Sequence, residues 1–384
     1  MMISPEFKRF PNEWKVLPFL EVFEDVTSKG KKVKKENYQI TGDIPVVDQG
    51  QKFFGGYTDE ANKITGVDLP AIVFGDHTKA FKYVEVDFAI GADGVKLLNP
   101  KIDADKKFLF YYLKQLKLED AGYSRHFKFL KETYIPLPPL ETQKKIAAVL
   151  ERADQLRKDC QQMEQELNSL AQSVFIDMFG DPVTNPKGWE ILTIGDLLLS
   201  ANYGTSEKAS TEKKKYPVLR MNNITYEGNW DFSSLKYMDM SEDDEDKYLV
   251  ESGDILFNRT NSKELVGKTA VYREATPMAY AGYLVRARCN ELAHPEYISS
   301  FMNSRFTKKT LQSMCKSIVG MANINAKEFQ KISVAKPPIE LQQEFARRVE
   351  AIRAEVEATK QQGYEYDHLF NSLMQKAFKG ELTL

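Results

Sequence analysis

The sequence predicts an α+β protein with two globular domains, each followed by a long helix, so that the whole arrangement occurs twice along the chain. Two observations carry this prediction. Five segments recur in the same order, and after each double proline the apolar residues adopt a helical period. The length of 384 residues suits two or three domains, and 42% apolar with 28% charged residues excludes a disordered or collagen-like chain.

The internal repeat defines the domain boundaries. Its five segments are PNEWKVLPFLEVFEDV (11–26) with PKGWEILTIGDLLLSA (186–201), IPVVDQG (44–50) with YPVLRMN (216–222), AIVFGDHT (71–78) with GDILFNRT (253–260), LPPLETQKKIAAVL (137–150) with KPPIELQQEFARRV (336–349), and SLAQSVF (169–175) with SLMQKAF (372–378). We therefore divide the chain into a first globular domain (1–139), a first helix (140–180), a second globular domain (181–338) and a second helix (339–384).

The globular domains have the sequence pattern of mixed α and β structure. Short β-branched and aromatic runs, bounded by Gly, Asp, Asn and Pro, predict strands at 71–74, 83–88, 254–257 and 270–272. A short helix is expected near 107–118 in the first domain and near 294–314 in the second.

The two long helices begin after double prolines, because proline disfavours helix in the residue before it. Apolar residues then follow in alternating steps of three and four, which is typical of a left-handed coiled-coil seam. The predicted seam residues are Ile146, Val149, Ala153, Leu156, Cys160, Met163, Leu167, Leu170 and Val174 in the first helix, and Phe345, Val349, Ile352, Val356, Thr359, Gly363, Tyr366, Phe370, Leu373 and Ala377 in the second. The alternative is that each amphipathic helix packs only on its own domain.

The second helix has two features of its own. Thr359 and Gly363 are poor seam residues, so we expect this helix to be weakest near its middle. The seam from Ile146 to Leu170 is four residues shorter than the seam from Phe345 to Leu373. We therefore expect four additional residues in the second helix, near 361–364.

Motifs for catalysis are missing from the sequence. It has no Asn/Asp-Pro-Pro-Tyr/Phe tetrapeptide of amino-methyltransferases, and the GKT at 267–269 has Ser262 where a P-loop needs its first glycine. The four histidines show no metal-ligand spacing, and Cys160, Cys289 and Cys315 are too scattered for a disulfide framework or a zinc site. The polar start and the absence of a long apolar run predict a soluble, cytoplasmic protein.

Polar loops provide the candidate binding residues. The net charge of −2 excludes bulk basicity, so any contact with nucleic acid must come from local clusters. Short donor and acceptor side chains that follow predicted strands are suited to reading base edges. The candidates are Gln49, Gln51, Asp76, His77, Thr78 and Lys79 in the first domain, and Arg220, Asn222, Asn223, Asn258, Arg259, Thr260, Asn261, Ser262 and Lys263 in the second. Lysines at 29–35, 213–215 and 308–309 could meet phosphates. Ordinary turns and solvated lysines would show the same residue types.

The sequence resembles the specificity subunit of Type I restriction–modification enzymes over essentially the whole chain. The resemblance is carried by the helix starts IPLPPLETQKKIAAVLERAD and VAKPPIELQQEFARRVEAIR, the helix ends SLAQSVF and SLMQKAFKGEL, and the domain segments VFGDHTKAFKYVEVDFAIGADGVKLL and YLVESGDILFNRTNSKELVGKTAVYR. One departure is that the family often has Glu-Gln in the first helical turn. Here Thr142-Gln143 and Leu341-Gln342 keep only the glutamine.

The resemblance implies a non-catalytic subunit that reads double-stranded DNA. Two target-recognition domains would each read one half of an asymmetric, interrupted sequence, and the helices would pair antiparallel as a coiled coil under approximate two-fold symmetry. Two methyltransferase subunits and the restriction subunits would dock on this chain. S-adenosylmethionine, ATP and Mg would bind to those partners, and this chain would hold no cofactor. The seams, roughly 36 and 42 Å long, are close to one turn of B-DNA at about 34–36 Å.

A different class of function remains open at this point. The same architecture could be a coiled-coil scaffold whose two domains bind protein. Only DNA recognition predicts binding that weakens steeply with salt.

Overall fold

Each half of the structure is built from one globular segment and from half of each long helix. The computed structural model describes residues 10–91, 93–119, 122, 124–318 and 321–383. Unit 1 comprises Met1–Cys160 with Gln362–Leu384, and unit 2 comprises Gln161–Gln361. The sequence-based division assigned each helix to a segment of its own. The structure instead divides both helices, because each half-helix buries its apolar face in the core of the unit to which it belongs.

Unit 1 contains both strands and α-helices, as the sequence pattern predicts. In chain order they are β1 (Lys15–Pro18), α1 (Phe19–Val22), β2 (Phe23–Asp25), β3 (Lys32–Val33), β4 (Ile44–Val47), β5 (Gly56–Thr58), β6 (Ala71–Gly75), β7 (Phe81–Val84), β8 (Ala89–Gly91), β9 (Val95–Pro100), α2 (Lys106–Gln115), α3 (Phe127–Lys131), β10 (Tyr134–Leu137) and the long helix α4 (Leu140–Phe179), whose second half enters unit 2.

Unit 2 repeats this pattern and adds several short elements. In chain order they are β11 (Glu190–Thr193), β12 (Leu198–Tyr203), β13 (Tyr216–Leu219), β14 (Lys236–Met238), α5 (Glu242–Tyr248), β15 (Leu249–Val250), β16 (Ile255–Asn258), β17 (Thr260–Asn261), β18 (Thr269–Val271), β19 (Met278–Tyr280), β20 (Leu284–Cys289), α6 (Pro295–Asn303), α7 (Arg305–Met314), β21 (Lys316–Ile318), β22 (Met321–Asn323), α8 (Ala326–Gln330), β23 (Ser333–Lys336) and the long helix α9 (Ile339–Ala377), whose second half enters unit 1.

The two units share their sheet topology, which confirms the α+β repeat. The first sheet is antiparallel in both, with the order β2-β9-β6-β7 in unit 1 and β12-β20-β16-β18 in unit 2. The second sheet is mixed, with the orders β5-β4-β8-β3 and β14-β13-β19-β15. Its last strand differs between the units, because β3 runs parallel to β8 whereas β15 runs antiparallel to β19.

The central strand β6 shows how the core is divided. All five of its residues are buried, and successive side chains point to opposite faces of a strand. Ile72 and Phe74 join the core under the helices, whereas Ala71 and Val73 join the core between the two sheets. Both faces of β6 are therefore covered, and the residues that follow it emerge at the edge of a rigid two-sheet framework.

Two predicted elements of the globular domains have different bounds in the structure. The strand expected at 83–88 ends at Val84, because exposed residues 85–87 cross from the first sheet to β8 in the second. The single helix expected at 294–314 is two helices, α6 and α7. Ser304 between them is extended, and its hydroxyl accepts a hydrogen bond from the Thr307 amide at 3.2 Å, which starts a new helix.

The glutamine in the first turn of each long helix has a structural role. Gln143 is buried, accepts a hydrogen bond from the Asp105 amide at 2.9 Å and donates to the Pro138 carbonyl at 2.8 Å. Gln342 accepts from the His294 amide at 2.8 Å and donates to the Pro337 carbonyl at 2.9 Å. Each glutamine thus ties a long helix to the residue that caps α2 or α6. The neighbouring glutamate that the family often carries is not needed for this contact.

Within each unit the two half-helices run antiparallel. In unit 1 the start of α4 packs against the end of α9, where Ile146 and Leu150 share a core with Phe370 and Met374. In unit 2 the end of α4 packs against the start of α9, where Phe179 lies 5.2 Å from Phe345, measured between ring centroids. Both alternatives from the sequence apply together, because each half-helix contacts its partner helix and the core of its unit.

The burial of the predicted seam residues differs between the helices. In α9, Phe345, Val349, Val356 and Phe370 are buried. In α4, Val149, Met163 and Leu170 are exposed, and Ala147 and Leu150 are buried instead. The first half of α4 packs against α2 as well as α9, so its buried face is wider than a coiled-coil seam.

The four additional residues expected in the second helix do not make it longer than the first. Helix α4 has 40 residues and α9 has 39. Helix α4 ends directly before Gly180, and α9 ends three residues before Gly380. Both glycines are in the left-handed region, and they lie close to Pro186 and Pro11 respectively. The matching segments lie at different distances from the starts of their helices. SLAQSVF begins 29 residues after Leu140, whereas SLMQKAF begins 33 residues after Ile339, a difference of about one helical turn. Within the described part of the chain, no helix has the length and apolar character that a membrane span requires.

Substitution of Gly363 by alanine is expected to stabilise α9. A Cβ built at Gly363 would lie 3.7 Å from Cys160 Cβ, which is ordinary van der Waals contact. Glycine inside a helix is less favourable than alanine by roughly 0.5–1 kcal/mol, so the unfolding free energy of unit 1 should rise by about that amount. Thermal and urea unfolding of the two proteins measure this. An unchanged or lowered midpoint would show that the helices need the glycine for close approach.

Candidate nucleic-acid interface

Two candidate loops of unit 1 come together in the structure. Residues 48–51 follow β4 of the second sheet, and residues 76–79 follow β6 of the first. Gln49 Oε1 accepts a hydrogen bond from the His77 amide at 3.3 Å, and the Gln49 carbonyl accepts one from the Thr78 hydroxyl. Gln51 Nε2 reaches the Thr78 carbonyl at 3.5 Å. We call these residues loop pair 1. They form one continuous polar surface from two sheets.

Most side chains of loop pair 1 face solvent, and Asp76 does not. Gln51 is exposed, and Gln49, His77, Thr78 and Lys79 are partly exposed. Asp76 is 3% exposed, and its Oδ1 accepts a hydrogen bond from the Phe127 amide at 2.7 Å. Its carbonyl also accepts the His126 amide at 2.8 Å. Asp76 therefore holds the start of α3, contrary to the expectation that its carboxylate faces a ligand.

In unit 2 the guanidinium of Arg259 is held in place by its neighbours. Its Cζ lies 4.8 Å from the centroid of the Tyr203 ring, and its Nη1 donates to the Gly282 carbonyl at 3.1 Å. The Tyr203 hydroxyl accepts a hydrogen bond from the Ala326 amide at 3.0 Å, which fixes the ring. A planar donor fork held against an aromatic face is suited to bidentate recognition.

The remaining candidates of unit 2 divide by accessibility. We call residues 220–223 and 258–263 loop pair 2. Asn222 and Lys263 are exposed, and Arg220, Asn261 and Ser262 are partly exposed. The buried members are Asn223, Asn258 and Thr260.

Two of the three buried members of loop pair 2, Asn223 and Thr260, form hydrogen bonds within the fold. Asn223 Oδ1 accepts from the Arg220 amide at 2.9 Å, and its Nδ2 donates to the Asp231 carbonyl at 2.8 Å. The Thr260 hydroxyl accepts from Asn323 Nδ2 at 2.9 Å. Asn258 is fully buried, and neither polar atom of its side chain has a hydrogen-bond partner in the structure. These three side chains are not presented to solvent, contrary to the expectation that they read bases.

The predicted basic clusters are not equally available. Lys215 forms an ion pair with Glu245 at 2.8 Å, and this hydrogen bond raises the pKa of Lys215. The Lys308 ammonium lies 3.5 Å from the centroid of the Tyr226 ring, and burial lowers its pKa to about 8. By contrast, Lys31, Lys32, Lys34 and Lys35 are exposed in the cluster at 29–35. These lysines of unit 1 and the exposed Lys213 of unit 2 are placed where they can meet phosphates.

Several residues near the loop pairs were missed from the sequence. Arg125 and Lys128 are exposed at the start of α3, which Asp76 ties to loop pair 1. The basic and aromatic run RHFKFLK was a signal for them. Tyr203 carried no signal, because it approaches Arg259 only in the folded unit. Among the residues that the structure describes, no three His, Cys, Asp or Glu side chains are grouped so that they could hold a metal ion.

Comparison with known proteins agrees with the fold and its repeat. A family model described as the Type I restriction modification DNA specificity domain matches residues 11–169 and again residues 186–365. The specificity subunit of the Type I restriction enzyme EcoKI from Escherichia coli strain K12 is 28% identical over 268 residues, which are 65% of this chain and 58% of that protein. The EcoR124I/EcoR124II specificity subunit from Escherichia coli is 30% identical over 144 residues, 36% of this chain and 35% of that protein. The chain thus spans less than two thirds of these relatives.

Solved structures extend the similarity over nearly the whole chain at the level of the fold. The S subunit of a Type I restriction–modification system from M. genitalium superposes with a TM-score of 0.61 at 16% identity, covering 95% of this chain and 96% of that one. A chain from a study of complex assembly and conformational transition of the type I R-M system gives a TM-score of 0.54 at 18% identity, with 97% and 99% covered.

Proposed function

Because the chain belongs to the family of Type I restriction modification DNA specificity domains, with two copies of the domain, we propose that it is a non-catalytic DNA specificity subunit. Each unit would read one half of a bipartite target. The observation that carries this proposal is that polar, solvent-facing side chains follow corresponding strands of the two sheets in both units, and that in unit 1 the two loops also contact one another. A surface of this kind can enter a DNA groove, where side chains read base edges.

The two half-sites are proposed to differ in sequence. Loop pair 1 presents Gln49 and Gln51, whereas loop pair 2 presents Arg220 and Arg259. Glutamine pairs with adenine and arginine with guanine in the major groove. An asymmetric target follows from this difference in chemistry.

Partner subunits are proposed to supply the chemistry. Methyltransferase subunits would bring S-adenosylmethionine, and restriction subunits would bring ATP and Mg. Exposed apolar side chains on the unit 2 half of α4 support a docking surface there. Met163 and Leu170, which lie two helical turns apart on one face of α4, are 47% and 46% exposed.

The proposed function is tested by activity and by salt dependence. We expect the purified chain alone neither to methylate nor to cut DNA, and to support methylation of a defined bipartite sequence when a methyltransferase subunit is added. Its DNA binding should weaken by roughly a thousandfold or more between about 50 and 200 mM salt. Methylation by the isolated chain with S-adenosylmethionine would contradict the proposal. If the two globular domains instead bind a protein specifically, and this binding does not depend on salt, the chain is better explained as a coiled-coil scaffold.

The lengths of α4 and α9 are proposed to set the number of unread base pairs between the half-sites. Because the helices have 40 and 39 residues, the sharpest test deletes 361–364 from α9 together with 161–164 from α4. Four residues correspond to about 6 Å of helix, or one to two base pairs at about 3.4 Å each. Methylome sequencing should show a spacer shorter by that amount with both half-sites unchanged.

The single deletion of 361–364 is the control for this experiment. It leaves the helices unequal in length, so it should lower methylation more than the matched deletion does. If the doubly deleted protein methylates the original spacing at full rate, the helices do not determine the spacer.

A further inference from the structure

Each unit contains a buried lysine that binds the backbone of its loop pair. Lys82 in β7 is 5% exposed, and its ammonium donates to the Asp48 carbonyl at 2.7 Å and lies 3.6 Å from Asp48 Oδ1. Lys268, which precedes β18, is 7% exposed and donates to the Met221 carbonyl at 3.0 Å and to the Ile224 carbonyl. In both units the acceptors lie in the loop that follows the second-sheet strand, β4 or β13.

The two lysines are not equivalent positions of the repeat. Phe74 pairs with Phe81 in unit 1, and Phe257 pairs with Thr269 in unit 2, so Phe81 and Thr269 correspond. Lys82 comes one residue after this position, and Lys268 comes one residue before it. Their ammonium groups nevertheless bind the same loop. What the units share is therefore the contact itself, made from different places in the chain.

Burying these ammonium groups is unfavourable, which makes a purely stabilising role a poor explanation. Burial lowers the pKa of both Lys82 and Lys268, since the charged form loses its hydration. An apolar side chain of similar length would avoid this penalty. Buried lysines are rare in proteins unless they are paired. The gain that offsets the penalty is a defined backbone conformation in the loop.

The loops so held carry the solvent-facing candidates. Asp48 directly precedes Gln49, whose side chain and carbonyl also bind His77 and Thr78. In unit 2 the two carbonyls bound by Lys268 bracket residues 222 and 223, of which Asn222 is exposed. Hydrogen bonds tolerate only a narrow range of donor–acceptor distances and angles. A shift of either loop backbone beyond this range would prevent these side chains from forming hydrogen bonds to a base edge.

We propose that Lys82 and Lys268 are positioning residues for base recognition, each determining the half-site read by its own unit without touching DNA. This inference rests on the proposed function. Lys82 places Gln49 and Gln51, and Lys268 places Arg220 and Asn222.

The test uses Lys82→Met and Lys268→Met in the full-length chain, which keep the length of the side chain and remove the ammonium. Each protein selects from a library of DNA duplexes with randomised positions, and the bound duplexes are sequenced. We expect Lys82→Met to lower discrimination at one half-site by about tenfold, within the range that a misplaced bidentate contact loses. The other half-site should be unchanged, and Lys268→Met should show the reverse.

Matched controls are exposed or half-exposed lysines that also donate to a backbone carbonyl. Lys63 binds the Lys32 carbonyl at 3.4 Å in unit 1, and Lys187 binds the Asp177 carbonyl at 2.9 Å in unit 2. Lys63→Met and Lys187→Met should leave both half-sites unchanged.

The outcomes separate this inference from the proposed function. If the unaltered chain selects no bipartite sequence, both fail. If it selects one and the methionine variants bind more weakly with the same preferences, the lysines are only structural and this inference fails alone. If methionine prevents folding, Lys82→Arg and Lys268→Arg keep a cation beside the same carbonyls with a different reach. They should then alter the preferred bases of one half-site, and an unchanged half-site overturns the inference.

Discussion

Replacing Glu296 with glutamine is expected to lower the unfolding free energy of unit 2 by about 3–5 kcal/mol, because it leaves two arginines partly buried without a carboxylate. Glu296 on α6 is 8% exposed. Its two oxygens accept from Arg273 Nε at 2.6 Å and Nη2 at 2.8 Å, and Arg353 Nη2 on α9 donates to Oε2 at 3.0 Å. This group joins the globular part of unit 2 to its half of the long helix.

The same substitution should change how stability depends on pH. Burial by itself would raise the pKa of Glu296, but the hydrogen bonds and charges of Arg273 and Arg353 outweigh it, so the pKa lies below its ordinary value. When the pKa of a carboxylate is lower in the folded protein than in the unfolded chain, its charged form stabilises the folded state. This stabilisation is complete at pH values above the pKa of the unfolded chain, and it is lost as the pH falls through the pKa of the folded protein. Because glutamine does not titrate, the unfolding free energy of the variant should lack the decrease at low pH that protonation of Glu296 causes.

Urea unfolding is measured by tryptophan fluorescence in a protein in which Trp14 of unit 1 is replaced by phenylalanine. The signal then comes only from Trp189 and Trp230 and reports the unfolding of unit 2. The matched control is Glu344→Gln, since Glu344 on α9 pairs with Arg347 and Arg348 at the surface. This control should leave the midpoint nearly unchanged. Equal midpoints for the two variants would show that the Glu296 group does not hold α6 to α9.

Replacing Arg259 with lysine is expected to relax one half-site by about 1–3 kcal/mol of discrimination, roughly 5- to 150-fold. Arginine presents a rigid donor fork, and here Tyr203 and the Gly282 carbonyl hold that fork in one orientation. Lysine keeps the charge but loses the bidentate geometry. Overall affinity and its salt dependence should therefore change much less than the preference for one base. Sequencing of methylated sites in the assembled enzyme measures this.

Lys263→Ala is the comparison for Arg259→Lys. Lys263 is exposed in the same loop pair, and a phosphate contact there would weaken binding to all sequences alike and reduce the salt slope by about one. If Arg259→Lys behaves in this way instead, Arg259 contacts phosphate and does not read a base. The half-site of unit 1 should be unaffected by either variant.

The sequence by itself determined the parts of this protein that depend on neighbouring residues. The repeat, the α+β domains and the starts of α4 and α9 directly after their double prolines all follow from local patterns. The loops after β4, β6, β13 and β16 were recognised as polar surfaces for the same reason. Turn residues and hydrophobic periodicity act over a few residues, so they can be read without the fold.

Only the tertiary structure decided which of these side chains are available. Asp76 and Gln51 have the same polar character in sequence, yet one caps α3 from within the core and the other faces solvent. Their difference depends on Phe127, about fifty residues further along the chain. The same holds for Lys82, whose partner Asp48 follows a strand of the other sheet. Burial and hydrogen bonding are set by distant segments that meet only on folding, and for this reason residue type and spacing could locate the polar loops but could not show which of their side chains face solvent.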